Sequence, residues 1–131
     1  FLSYSTFGNP MGERGEKVRE AVAILDEMGD VDFEYEGDMN ADIALNPSHS
    51  ALYPFSRLKG PANVLVMPAI HAASISTKLL ESMSRATVIG PMLLGLEKPV
   101  QIASLGATVG DSVNLATIAA YDVDRVHPDQ A

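Results

Sequence analysis

The chain of 131 residues has no cysteine and no tryptophan, and only four tyrosines and four phenylalanines. Without cysteine there can be no disulfide framework, no thiolate nucleophile and no cysteine-ligated zinc, which fits a reducing compartment. Basic residues are scarce as well. Nine Lys and Arg face seventeen Asp and Glu, for a formal net charge of -8. A mean field of that sign repels nucleic-acid phosphates and anionic lipid, so neither is an expected partner. Long apolar runs are also missing: the two longest, Val64 to Ile70 and Val88 to Leu96, each contain a proline and fall well short of a bilayer span. No membrane crossing is expected, and the expected setting is cytoplasmic. The first residue is Phe1, with no basic segment ahead of an apolar one, so neither an initiator start nor a signal peptide is visible. The expectation is a single domain, residues 1–131, cut from a longer chain.

What is present suffices for one core. Hydrophobic residues make up 47% and charged residues 20%, which places the chain among globular proteins. Phe1 to Thr6 alternates apolar and hydroxyl side chains like a strand, followed by the turn cluster Gly8-Asn9-Pro10-Met11-Gly12. Val18, Ala21, Val22, Leu25 and Met28 recur at helical spacing, with charges opposite and Gly29 as a stop. Asp30 to Glu36 alternates acid with apolar, which predicts a half-exposed edge strand with Val31, Phe33 and Tyr35 on one face and four carboxylates on the other. A short helix is predicted over Met39–Leu45, a long loop over Asn46–Pro61 and a buried strand over Ala62–Met67. Beyond these, the pattern predicts a helix over Ile70–Ser84, strands over Ala86–Ile89 and Val100–Ser104, and a helix over Val109–Tyr121. Alternating strands and helices imply an α/β layer fold with a largely parallel sheet.

Local chemistry signals are sparse. Gly8, Gly12 and Gly15 lie between strand and helix, where free backbone N–H groups can hold a phosphate. Their spacing matches neither G-x-G-x-x-G nor the G-K-[ST] ending, so an ordinary turn is the better reading. Asp30-x-Asp32-x-Glu34 starts like a calcium loop but has Tyr35 and Ala41 where glycine and glutamate belong, which excludes calcium. His49, His71 and His127 have no i, i+4 partner, so a zinc site has no local support. No G-x-S-x-G elbow is present. Thr108-x-x-Asp111 has the form of a capping box at the start of the last helix. A carboxylate there also stands just beyond a strand's C-terminal end, where open α/β sheets place ligands.

Three stretches carry a family resemblance: Phe1-Leu2-Ser3-Tyr4-Ser5-Thr6-Phe7-Gly8, Ala62-Asn63-Val64-Leu65-Val66-Met67-Pro68, and Gly90-Pro91-Met92-Leu93-Leu94-Gly95-Leu96-Glu97-Lys98-Pro99-Val100. Their order and spacing, up to about Asp122, resemble the second domain of phosphate acetyl- and butyryltransferases. The resemblance implies a three-layer α/β/α fold with a largely parallel sheet, as in domain 2 of a phosphate acetyltransferase. In that family a Ser-Arg-Gly follows the last strand, and an aspartate five residues after the glycine serves catalysis. This chain has Ser104, Leu105, Gly106 and Asp111, so a leucine replaces the arginine. Acyl transfer from acyl phosphate to coenzyme A needs a cation on the phosphate, and leucine supplies none.

The leucine, together with Tyr53-Pro54-Phe55-Ser56-Arg57-Leu58-Lys59-Gly60 and Ile118-Ala119-Ala120-Tyr121-Asp122, resembles the C-terminal part of large bacterial NADP-dependent malic enzymes. That resemblance implies a parent that converts malate to pyruvate with NADP and a divalent metal, Mg or Mn, held outside these residues. It further implies a domain that assembles subunits, first as a homodimer, senses acetyl-CoA, and has no catalytic residues of its own. The expected effector site comprises Gly90, Pro91, Lys98, Ser104, Gly106 and Asp111, with Arg57 and Lys59 as further phosphate-binding cations and Lys78 as another candidate. Two alternatives stand beside this reading: a fragment of a working acyltransferase and a purely structural dimerisation module.

Overall fold

The structure is a computed structural model that describes residues 1–50 and 52–126. Among the described residues there are five helices: α1 (Glu13–Met28), α2 (Ala41–Leu45), α3 (Pro47–Ser50), α4 (Ile70–Met83) and α5 (Val109–Val126). The chain divides into two compact units, Phe1–Lys78 and Leu79–Ala131, the division falling within α4.

In the first unit, α1 ends where Gly29 adopts a left-handed φ of 70°. A glycine there releases the chain from the helix without the cost a Cβ would impose. Val18 and Val22 are the buried residues of its apolar stripe, accompanied by Gly15. The short helix expected over Met39–Leu45 is α2, with Asn40 as its N-cap. The loop that follows holds one turn not foreseen from the sequence, α3. The Asn46 side chain accepts from the Ser48 N–H at 3.1 Å, and Pro47 occupies a first-turn position that lacks an intrahelical partner in any case.

The extended segments form far less ladder than the alternation predicts. Among the described residues, bridges are isolated: Leu2 with Met39 (parallel), Thr6 with Asn9 and Met92 with Gln101 (both antiparallel). Around the first, the Met39 N–H donates to Phe1 O at 3.2 Å and the Ser3 N–H to Met39 O at 2.9 Å, while the Leu2 N–H donates to Val66 O at 2.8 Å. Residues 1–3 therefore lie between 36–39 and 64–66. Leu2, Met39 and Ala44 form the buried cluster, with Phe7, Ile43, Leu58, Ala62, Leu65 and Met67 against it.

Two expectations are corrected here. The Ala62–Met67 segment is not buried, since Val64 and Val66 are exposed and face a cavity of about 830 Å³ in the first unit. The carboxylate face of Asp30–Glu36 is not uniformly solvated either. Glu36 is 7% exposed, because it binds the loop at residue 57.

One tight turn sets the entry to α1. Thr6 and Asn9 exchange backbone hydrogen bonds at 3.0 and 3.1 Å across Phe7 (φ 49°) and Gly8 (φ 82°). Two positive φ values are the signature of a primed hairpin turn, which glycine accommodates freely and phenylalanine does not. Phe7 is held there by its own N–H, which donates to Asp38 O at 2.8 Å, and by the rings of Tyr53 and Phe55 at centroid distances of 5.1 and 4.8 Å.

Asp38 ties these pieces together. Its side chain is fully buried and accepts from the Ser5 hydroxyl, from the Gly8 N–H at 3.0 Å and from the Arg19 guanidinium at 3.2 Å. Gly15 passes so close that a Cβ would stand 2.6 Å from Ser5 Oγ and 3.2 Å from Asp38 Oδ2, so only glycine fits without displacement. Asp38→Asn removes the charge that satisfies Arg19 while keeping the volume. It is expected to lower unfolding stability by about 2 kcal/mol, below the roughly 3–5 kcal/mol of breaking a fully buried pair because Arg19 is partly exposed. Urea titration of the two proteins checks this, and equal midpoints would contradict it.

Candidate functional site

In the second unit the expected site residues lie on connected turns. Gly90 has φ 141° and precedes Pro91. Two residues on, Met92 bridges to Gln101, which sets the Gly90–Pro91 turn beside the segment leading to Ser104. The Ala107 N–H donates to Ser104 O at 3.0 Å, closing a turn around Leu105 and Gly106. Leu105 is fully exposed and a Cβ on Gly106 would meet nothing within 4 Å, so the turn projects into open space. Lys98 is also exposed.

Asp111 sits in the first turn of α5. Its Oδ2 accepts from the Thr108 N–H and the Thr108 hydroxyl, both at 2.8 Å, and Thr108 Oγ1 accepts from the Asp111 N–H at 3.2 Å. This is the reciprocal capping box expected from the sequence. The backbone hydrogen bond from Thr108, then its hydroxyl, hold the Asp111 carboxyl below its ordinary value of 3.8. Asp111 is therefore an anion engaged by its own helix, and the leucine nearby offers no positive group with which it could share a phosphate.

In the first unit, Arg57 and Lys59 are already paired. Arg57 binds Asp26 at 2.5 Å and Glu36 at 3.4 Å and lies 4.7 Å over the Tyr35 ring. Lys59 binds Glu34 at 3.1 Å. Hydrogen bonds from Tyr35 and then Arg57 lower the Asp26 carboxyl, while the bond to Asp26 raises the Tyr35 phenol. Lys78 also has interactions of its own.

Of the glycines at 8, 12 and 15, expected in one turn, only Gly8 stands in the tight turn; Gly12 is the N-cap of α1 and Gly15 lies within that helix. The Gly8 N–H is taken by Asp38 rather than left open to a ligand. Nothing local marks Asp38: it follows a run of acids whose spacing reads as a solvated strand face. His49 rests against Asp42, its Nδ1 at 3.2 Å from the backbone oxygen and 4.0 Å from the carboxylate. His71 is the second residue of α4, and His127 lies outside the described residues. Among the described residues, no cluster of three or more His, Asp or Glu side chains is placed to hold a metal ion, and no helix is long and apolar enough to cross a membrane.

A model of the phosphate acetyl/butaryl transferase family matches residues 1–120. The chain belongs to this family. It is 64% identical over 121 residues to an NADP-dependent malic enzyme of Rhizobium meliloti, covering 92% of this chain and 16% of that protein. It is 35% identical over 125 residues to a phosphate acetyltransferase of Clostridium acetobutylicum, covering 95% of this chain and 37% of that protein. Among solved structures, the EutD phosphotransacetylase from Staphylococcus aureus superposes with a TM-score of 0.82 at 32% identity, over 92% of this chain and 38% of that one. The α/β class follows from that match, although the ladders among the described residues are reduced to bridges. The chain thus spans about a sixth of the malic enzyme it matches and just over a third of the acetyltransferase, as the phosphotransacetylase-like domain of such proteins.

The capping geometry carries a direct test. In a carboxyl-carbon NMR titration Asp111 should show a midpoint below 3.8, and Thr108→Val should move it back up. The corresponding stability is present above pH 3.8 and lost as pH falls through the lowered midpoint. An Asp111 midpoint unaffected by Thr108→Val would contradict the assignment.

Proposed function

We propose that this chain is the regulatory and assembly domain of a bacterial malic enzyme, one that senses acetyl-CoA and performs no acyl transfer itself. The observation that carries the reading is Leu105, fully exposed on the turn between Ser104 and Gly106 where the family resemblance implies an arginine. Phosphoryl and acyl-phosphate chemistry needs a fixed cation at the developing charge, and a protruding leucine cannot stabilise it. The commitment of Asp111 to capping Thr108 supports the same reading, because a helix cap explains the aspartate without catalysis. The 64% identity to one NADP-dependent malic enzyme, against 35% to a phosphate acetyltransferase, supports a malic enzyme parent. In that parent, NADP and a divalent metal belong to the malic enzyme body, outside the residues of this chain, and the protein works in the cytoplasm.

Acetyl-CoA would reach a protein of net charge -8 only where positive groups are concentrated locally. The proposed site runs from Gly90 to Pro99 and from Ser104 to Asp111, with Lys98 meeting a phosphate and the N–H groups near Ser104 and Gly106 adding donors. Assembly as a homodimer is supported by Ile75, Leu79 and Met83, exposed apolar residues at successive four-residue steps along α4. A working acyltransferase is the second reading, favoured by the retained Ser104, Gly106 and Asp111.

In the full-length malic enzyme, Lys98→Ala should raise the acetyl-CoA concentration needed for half-maximal response about tenfold, the loss of one charge-assisted hydrogen bond. Steady-state malate oxidation against acetyl-CoA measures it. An unchanged response would remove Lys98 from the site.

A further inference from the structure

The long loop returns to the acidic segment in register. Glu34 Oε2 accepts the Lys59 N–H at 3.1 Å, and Glu34 Oε1 lies 3.1 Å from Lys59 Nζ. Glu36 repeats the pattern with residue 57: its Oε2 accepts the Arg57 N–H at 2.8 Å and its Oε1 lies 3.4 Å from the guanidinium. Two residues forward on one segment correspond to two residues back on the other. That is the register of an antiparallel pair, with glutamate carboxylates standing in for backbone carbonyls. Asp26 on α1 grips the far side of Arg57 at 2.5 Å, and Tyr35 lies beneath it. Between the two clasps, Leu58 reaches down against the Leu2 and Met39 cluster, and Leu58, Gly60 and Pro61 line the cavity of about 830 Å³ opposite Glu34, Tyr35 and Glu36.

We propose that residues 56–60 form a strap latched by Glu34 and Glu36, which opens as a local unit when those carboxylates are neutralised and, while closed, keeps Arg57 committed to carboxylates and holds one wall of the cavity in place. The latch consists of ionic bonds, exposed at Lys59 and ending on the buried Glu36 at Arg57, around one apolar anchor within residues 56–60, Leu58, while Tyr53 and Phe55 before it pack on Phe7. Such an attachment is weaker than the rest of the fold and is screened by salt. Its two backbone donors are fixed by side chains rather than by a ladder, so removal of the Glu34 carboxylate releases both the Lys59 cation and its N–H, while removal of Glu36 releases the Arg57 N–H and leaves the guanidinium on Asp26. The device does not depend on the effector site proposed for the second unit.

Trypsin reports the strap directly, because it cleaves after Arg57 and after Lys59 and requires a locally released chain. In the 131-residue chain, Glu34→Gln/Glu36→Gln should speed cleavage at these two bonds about fivefold, while cleavage after the exposed Arg85 keeps its rate. Since Glu36 is buried, the single variant Glu34→Gln provides a second arm that leaves the interior untouched. It should speed cleavage after Lys59 more than after Arg57. In the unaltered chain, raising the salt concentration should accelerate amide exchange at Arg57 and Lys59 while Leu2 stays protected. Unchanged cleavage in both variants, or equal acceleration at every basic residue, would overturn the proposal.

Discussion

The first unit depends on one buried carboxylate. Asp38 gathers a serine of the N-terminal segment, the tight turn at Gly8 and the Arg19 side chain of α1 around one carboxylate that has no access to water. A buried charge is tolerated only when its partners are fixed, so each of these elements constrains the others. The strained backbone of Phe7 persists because Asp38 O receives its N–H, and Gly15 is required because nothing larger fits between α1 and the Ser5–Asp38 pair. The Leu2–Met39 bridge and the apolar cluster around it follow directly from that placement, since Met39 is the next residue in the chain.

In the second unit the same kind of interaction serves a different end. Asp111 stands at the first turn of α5, where the family resemblance puts a catalytic aspartate, yet its partners are those of a helix cap. Ser104 and Gly106 frame a turn that presents leucine to solvent. A scaffold retained while its reacting cation is lost fits a domain kept for binding and assembly, and the extent of the match to malic enzymes supports that direction. Family membership rests on residues 1–120 as a whole, whereas the regulatory reading rests on a few side chains.

Much of this was legible in the sequence where the signal is local. Helical periodicity and Gly29 located α1, the Thr108-x-x-Asp111 spacing described a cap that the structure contains, and the three family-like stretches pointed to the fold. What escaped depends on contacts between distant residues. Asp38 and Glu36 belong to an acidic run whose alternation suggests solvent, and only partners far along the chain, Arg19 and Arg57, turn them inward. The same long-range pairing made Arg57 and Lys59 look like free cations. The predicted strands carry apolar alternation, but pairing is set by neighbours that no local pattern names, and isolated bridges are what the described residues show. The α3 turn was hidden because its signal, Asn46 before Pro47, is also that of an irregular loop.

The central claim is that the chain keeps the phosphotransacetylase-like fold without its chemistry. The most direct measurement is phosphate-dependent release of coenzyme A from acetyl-CoA, followed together with acetyl phosphate formation, in the full-length protein carrying this domain. The account predicts no rate above the uncatalysed background. A phosphate-dependent rate that disappears in the Asp111→Asn variant would contradict it, because it would show that the site around Ser104 transfers acyl groups without an arginine at position 105.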